Sequence, residues 1–170
     1  MDFKNYIRDI DNFPSPGVGF KDITPLLQDK TAFQEAAKAL LKMVDNQKID
    51  KVVGMESRGF FYGPILASEL KAGFVPVRKL GKLPAETVAQ TYKLEYGTDT
   101  LEMHKDSVQK GDRILIHDDV LATGGTAAAV CQLVERLGGS IVQCNFLIEL
   151  DFLKGIEKLN GYDVRSLLHY

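Results

Sequence analysis

The chain has 170 residues, 45% hydrophobic and 26% charged, which suits one domain that buries roughly 70% of its unfolded surface. Lys and Arg number 21 against 23 Asp and Glu, and a net charge of −2 argues against nucleic-acid binding through a general basic field. No apolar run approaches the roughly 20 residues that span a bilayer. The opening MDFKNYIRDIDNF lacks an apolar signal core, and Cys131 and Cys144 fit no metal-ligand spacing, so a cytoplasmic protein with reduced, buried thiols is expected.

Phe13-Pro14-Ser15-Pro16-Gly17 is a punctuated turn that no helix accommodates. From Thr31 to Val44, Phe33, Ala36, Ala37, Leu40, Leu41 and Val44 recur at helical spacing, and Thr31 with Gln34 forms a capping-box pattern. Lys51 to Met55 reads as a short apolar strand, Gly59 to Lys71 as a helix, and Phe74 to Val77 as a strand. That strand ends in the basic turn Arg78-Lys79-Leu80-Gly81-Lys82. Within residues 83–100 the alternation of Thr91 to Tyr96 predicts a hairpin or excursion. A buried strand, Arg113 to His117, leads through a glycine-rich loop to a helix over Thr126 to Leu137. Ile141 to Ile148 and Val164 to Leu168 complete the pattern. Alternation of this kind predicts a single α/β domain, an open and mostly parallel sheet with helices on both faces.

The chemistry concentrates in Ile114 to Thr126. Asp118 and Asp119 are expected at the end of a strand, where open α/β sheets bind ligands. Thr123-Gly124-Gly125-Thr126 then feeds a helix N-terminus, where glycines let backbone amides approach an anion and the helix dipole favours negative charge. Adjacent carboxylates suit a ribose diol or Mg²⁺, and sugar hydroxyls beside a phosphate mean a sugar phosphate. The segment contains neither GxxxxGK[ST] nor GxGxxG, which weakens ATP-dependent phosphate transfer and dinucleotide binding. His117 precedes the acids inside a strand and is read as packing.

This segment resembles the phosphoribosyl pyrophosphate signature of the type I phosphoribosyltransferases, most of all their adenine-using members. Phe13 to Pro25, Glu56-Ser57-Arg58-Gly59-Phe60, Arg78 to Pro84 and Leu94 to Gly97 fall in family order, so the resemblance covers nearly the whole chain. Gly19 and His117 depart from it, standing where many relatives carry aliphatic residues. The resemblance implies a small base-binding hood over about residues 1–30 and a flexible catalytic loop over about 82–101. The activity it implies is purine salvage, adenine and 5-phosphoribosyl 1-pyrophosphate giving AMP and pyrophosphate, in a homodimer. Transfer to another purine such as xanthine or hypoxanthine, or a regulator that senses phosphoribosyl pyrophosphate, are the alternatives. Asp118 and Asp119 are expected on the ribose hydroxyls, and Ala122, Thr123, Gly124, Gly125 and Thr126 around the 5-phosphate. Arg58, Lys79 and Lys82 are the cations for pyrophosphate, with Mg²⁺ held through pyrophosphate and ribose and not by direct protein ligands. Glu95 is the expected general base or base-orienting carboxylate, and Arg58 shares the catalytic role. Tyr96 packs over the ribose, and Val18, Gly19, Phe20 and Lys21 recognise the base.

Overall fold

Two compact units, Met1–Ala39 and Leu40–Tyr170, make up the computed structural model, which describes residues 1–93 and 97–170. In the first, β1 (Arg8–Ile10) pairs antiparallel with β2 (Phe20–Asp22). The expected turn joins them: Val18 N donates to Ser15 O at 3.2 Å and Gly17 N to Asn12 Oδ1 at 2.8 Å. The Phe13 ring meets Phe20 edge-on, centroids 5.0 Å apart. A short helix that the periodicity does not announce, α1 (Thr24–Gln28), opens on Pro25; five residues are too few to show a period. The expected helix follows as α2 (Lys30–Met43), but Thr31 is not its cap. Asp29 Oδ1 accepts from Thr31 N at 2.9 Å and Ala32 N at 2.8 Å, which satisfies first-turn amides more directly than a Thr31–Gln34 box would.

The second unit is built on a seven-stranded sheet. In chain order come β3 (Lys51–Met55), α3 (Gly63–Glu69), β4 (Gly73–Lys79), β5 (Thr87–Lys93), β6 (Thr98–His104), β7 (Arg113–Leu121), α4 (Gly125–Arg136), β8 (Ser140–Glu149) and β9 (Val164–His169). Their order across the sheet is β5-β6-β4-β3-β7-β8-β9. The last five of these, β4 to β9, run parallel, and β5 and β6 add an antiparallel hairpin at one edge. Central strands are covered on both faces and therefore read as continuous apolar runs. Val53, Met55, Ile114, Ile116, Cys144 and Phe146 share a core with Val130, Leu133 and Val134 of α4, while α3 packs on β3 and β4.

Two expected boundaries move. The helix predicted over Gly59–Lys71 splits into a 3-10 turn, Arg58–Phe60, and α3, because Pro64 at the start of α3 has no N–H to continue a preceding helix. The strand expected to stop at His117 runs on to Leu121, so Asp118 and Asp119 lie within β7 and not beyond it. They still stand clear of β3, whose pairing with β7 ends at Gly54 opposite His117.

Candidate active site

From β3 the chain steps to β4 on one side and later lays β7 on the other, so strand order reverses between β3 and β7. The crevice outside the carboxyl ends of such a pair is where open α/β sheets hold ligands. Here that crevice is a cavity of about 220 Å³. Glu56, Ser57 and Arg58 enter it after β3, Lys79 from the end of β4, and Asp118 and Asp119 from β7. Tyr92, Asp99 and Leu101 come from the hairpin and Thr126 from α4. Gly59 makes the approach possible: a Cβ there would stand 2.9 Å from His117 O and 3.1 Å from Asp118 Oδ1.

Asp119 is buried and its Oδ2 meets Arg58 Nε at 3.0 Å. Asp118 is half-buried, and its Oδ1 accepts from Asp119 N at 2.9 Å. Burial and the neighbouring Asp119 carboxylate push the Asp118 carboxyl well above the ordinary range. Burial also raises Asp119, with Arg58 pulling against it. A pair of raised carboxyls facing an open cavity is arranged to accept hydrogen bonds from a donor-rich ligand or to sit beside a cation.

Glu56 is the hub of the cationic side. Its Oε2 accepts from Arg78 Nε at 3.3 Å and Lys79 N at 2.9 Å, and its Oε1 pairs with Lys82 Nζ. Burial opposes its ionisation, but these three donors outweigh burial and hold the carboxyl down at about 2. Across the cavity, Lys79 Nζ meets Asp99 Oδ2 at 3.2 Å, Tyr92 Oη lies 3.5 Å from that same oxygen, and Thr126 Oγ1 lies 3.4 Å from Tyr92 Oη. Tyr92 thus links the hairpin to the start of α4.

A smaller cavity of about 70 Å³ opens beside it, lined by Asp118, Ala122, Thr123, Gly124, Thr126 and Phe146 among others. Gly124 takes φ +75°, a left-handed conformation that suits glycine, at the N-cap of α4. Neither a side-chain cap nor an acidic residue occupies the first turn of α4. In this it differs from α2, whose first-turn amides Asp29 caps, and an N-terminus without a capping side chain or acid suits an anion.

Of the residues expected at the site, Arg58, Lys79, Asp118, Asp119 and Thr126 line the larger cavity, and Ala122, Thr123 and Gly124 the smaller one. Gly125 opens α4 between Gly124 and Thr126. Lys82 lines neither and instead neutralises Glu56. Val18, Gly19, Phe20 and Lys21 belong to the first unit, where Val18 is exposed, a Cβ on Gly19 would meet open space, and Lys21 pairs with Asp9. Glu95 and Tyr96 lie outside the described residues. His117 is fully buried, with Nδ1 2.8 Å from Asn145 Oδ1, and burial lowers its pKa to about 4, as a packing role requires. Glu56, Tyr92 and Asp99 were not expected here. The half-buried alternation of Val88, Gln90 and Tyr92 along β5 is the one signal that could have drawn Tyr92 in.

The phosphoribosyl transferase domain model matches residues 22–167. The chain is 63% identical over its full length, and over the full length of the relative, to an adenine phosphoribosyltransferase of Flavobacterium johnsoniae. It superposes with a TM-score of 0.95 on adenine phosphoribosyltransferase from Rhodothermus marinus, at 55% identity, covering 99% of this chain and 96% of that one. A third match is the Saccharomyces cerevisiae enzyme in complex with an imino-altritol bisphosphate and adenine, with a TM-score of 0.93 at 46% identity, covering 98% and 97% of the two chains.

Proposed function

The chain belongs to the phosphoribosyl transferase family, and on that premise we propose that it transfers the 5-phosphoribosyl group of phosphoribosyl pyrophosphate to adenine, giving AMP and pyrophosphate. The observation that carries this reading is the meeting, at one sheet switch point, of an acid pair, a cluster of cations and an uncapped helix N-terminus. Those are the complements of a ribose diol, a pyrophosphate and a 5-phosphate. Relatives bearing the adenine phosphoribosyltransferase name along this chain's whole length support adenine as the base.

Pyrophosphate leaves C1 of the ribose as a purine nitrogen arrives, so positive charge grows on the sugar and negative charge on the leaving group. Catalysis is then a matter of holding both partners in line and meeting that charge with fixed groups. Arg58 and Lys79 face the cavity from the leaving-group side, and Lys82 stands behind them, neutralising Glu56. Asp118 and Asp119 take the ribose hydroxyls and lie on the side where cationic character develops. Ala122 to Thr126 surround the 5-phosphate with backbone amides and hydroxyls. We assign recognition of the base to Val18, Gly19, Phe20 and Lys21 in a hood formed by about residues 1–30. Glu95 is assigned the proton-accepting or base-orienting role, and Tyr96 packing over the ribose, in a closing segment of about residues 82–101.

Mg²⁺ fits this site through substrate oxygens more than through protein ligands. Glu56 is already paired with Arg78 and Lys82, Asp119 with Arg58 and Asp99 with Lys79, which leaves Asp118 as the cavity carboxylate without a cation at contact distance among the described residues. When bound, the ion supplies positive charge to the pyrophosphate oxygens. We assign the enzyme to the cytoplasm, a compartment that its two free buried thiols suit. The assigned assembly is a homodimer. Of the aromatic run Phe60-Phe61-Tyr62, Tyr62 is buried and Phe60 packs on Phe74, which leaves Phe61, 43% exposed, as the side chain available to a second subunit.

Melting of the protein with Mg²⁺ and phosphoribosyl pyrophosphate, against Mg²⁺ alone, tests the assignment. Ligand at about 100 times its dissociation constant stabilises by about 2.7 kcal/mol, a rise of roughly 5–10 °C for a chain of this size. No rise at millimolar ligand would remove the sugar phosphate from the site.

A further inference from the structure

We propose that Lys158 is a further phosphate-binding residue, an ammonium held beside Gly125 of the Thr-Gly-Gly-Thr loop; this rests on the assignment of that loop to the 5-phosphate. No motif leads to Lys158, which lies 32 residues beyond Thr126, in the 3-10 segment Gly155–Leu159 between β8 and β9.

Two glycines hold that segment against the loop. A Cβ on Gly124 would fall far inside contact distance of Gly155 O, and a Cβ on Gly155 would do the same to Ala122 O. Backbone therefore lies on backbone, and only glycine fits on either side. Leu159, 1% exposed, anchors the other end of the segment in the α4 core. Lys158 is thus carried on a short rigid piece fixed at both ends. Its Nζ lies 4.0 Å from where a Cβ on Gly125 would stand, at the first residue of α4, a point that Lys93 O at 3.4 Å and the Tyr92 ring at 3.5 Å also approach.

That position sets an ammonium beside a helix N-terminus with no carboxylate of α4 next to it. A helix N-terminus carries a partial positive charge, and a cation within its first turn is repelled. The first turn of α4 holds no acid to offset the ammonium, and Lys158 forms no ion pair among the described residues. Lys158 is exposed, and an anion held between its ammonium and the positive helix end is met by positive charge from both. A phosphate monoester with two negative charges meets that demand: loop amides take some of its oxygens and Lys158 donates to another. The same contact serves phosphoribosyl pyrophosphate and AMP, since both carry the 5-phosphate.

Lys158→Ala and Lys158→Arg test this by two readouts. In steady-state kinetics, Lys158→Ala should raise the KM for phosphoribosyl pyrophosphate roughly fivefold or more, with the KM for adenine changed by less than about twofold and with Arg restoring most of the loss. In thermal melts, ribose 5-phosphate should stabilise Lys158→Ala less than wild type, while the unliganded variant melts no lower than wild type because a repelled cation has been removed. A KM for phosphoribosyl pyrophosphate equal to wild type, or an unliganded melting temperature that falls by several degrees, would overturn the proposal and leave Lys158 a packing residue. Absence of any AMP formation by the wild type would instead overturn the assigned reaction, and the ribose 5-phosphate melts would still decide the role of Lys158.

Discussion

Asp118 shows how a single side chain is held in a state that folding alone does not favour. Burial and the adjacent Asp119 carboxylate raise its pKa above 3.8 in the folded chain. A carboxyl raised on folding contributes stability at pH below its unfolded value and takes that stability away as pH climbs through the folded one. At neutral pH, above the unfolded value, the raised carboxyl of Asp118 therefore works against folding. Asp118→Asn removes the titrating carboxyl and keeps an acceptor for Asp119 N. The unliganded variant is expected to melt roughly 2–4 °C higher, the shift that about 1 kcal/mol gives in a chain of this size. It should at the same time lose the stabilisation by phosphoribosyl pyrophosphate, which side-by-side melts with and without ligand would register. His117, the neighbouring residue, shows the opposite solution: it is buried neutral against Asn145, and its ring serves the core.

Among the elements, the β5–β6 hairpin makes the site more than a strand end and a loop. Arg136 on the last turn of α4 donates to Ala89 O at 2.8 Å and also meets Gln90 Oε1, which holds β5 along the helix while Tyr92 reaches Thr126 at its other end. Arg136→Ala should loosen β5 without unfolding the sheet, because α4 keeps its own buried face. Hydrogen exchange across Thr87–Lys93 is expected to quicken roughly three- to tenfold, the worth of one or two exposed hydrogen bonds, with β7 amides unchanged. This is also where sequence reading reached its limit. Thr123-Gly124-Gly125-Thr126 was legible because each residue type acts locally: glycine for the left-handed turn, threonine for hydroxyls, the helix for its amides. Glu56, Tyr92 and Asp99 come together only through the pairing of β3 with β4, of β4 with β6 and of β5 with β6, and pairing partners leave no mark at any one position. The helix boundary at Pro64 was legible in principle, since proline opens a helix more readily than it continues one. The extension of β7 past Asp119 was not, because two adjacent acids are poor strand formers and are held extended by the β8 neighbours of Asp118 and Val120.

The whole molecule concentrates opposite charges around one crevice while its net charge stays at −2, and its stability should carry the imprint of that arrangement. Glu56, with 9% of its side chain exposed, is lowered from 4.5 to about 2 by Lys82, Lys79 and Arg78 against the cost of burial. A carboxyl lowered on folding gives stability that is complete above its unfolded value and is lost as pH falls through the folded one. Between pH 4.5 and about 2 the fold should therefore lose what Glu56 contributes. Glu56→Gln is expected to cost on the order of 2 kcal/mol at neutral pH and to flatten the acid limb of the melting profile across that window. A variant as stable as wild type at pH 7, with an unchanged acid limb, would mean that the three donors simply rearrange around solvent.

The most direct test of the assigned reaction is product formation by the purified protein with Mg²⁺, phosphoribosyl pyrophosphate and a panel of adenine, hypoxanthine, guanine and xanthine. Chromatographic detection of the nucleotide together with pyrophosphate release measures both products at once. The expected result is AMP and pyrophosphate in equal amounts from adenine, dependent on Mg²⁺, with little nucleotide from the other bases. Nucleotide formed preferentially from another base would contradict the assignment of adenine. No nucleotide from any base, by a protein that still binds phosphoribosyl pyrophosphate, would contradict the enzyme and leave a sensor of the sugar phosphate.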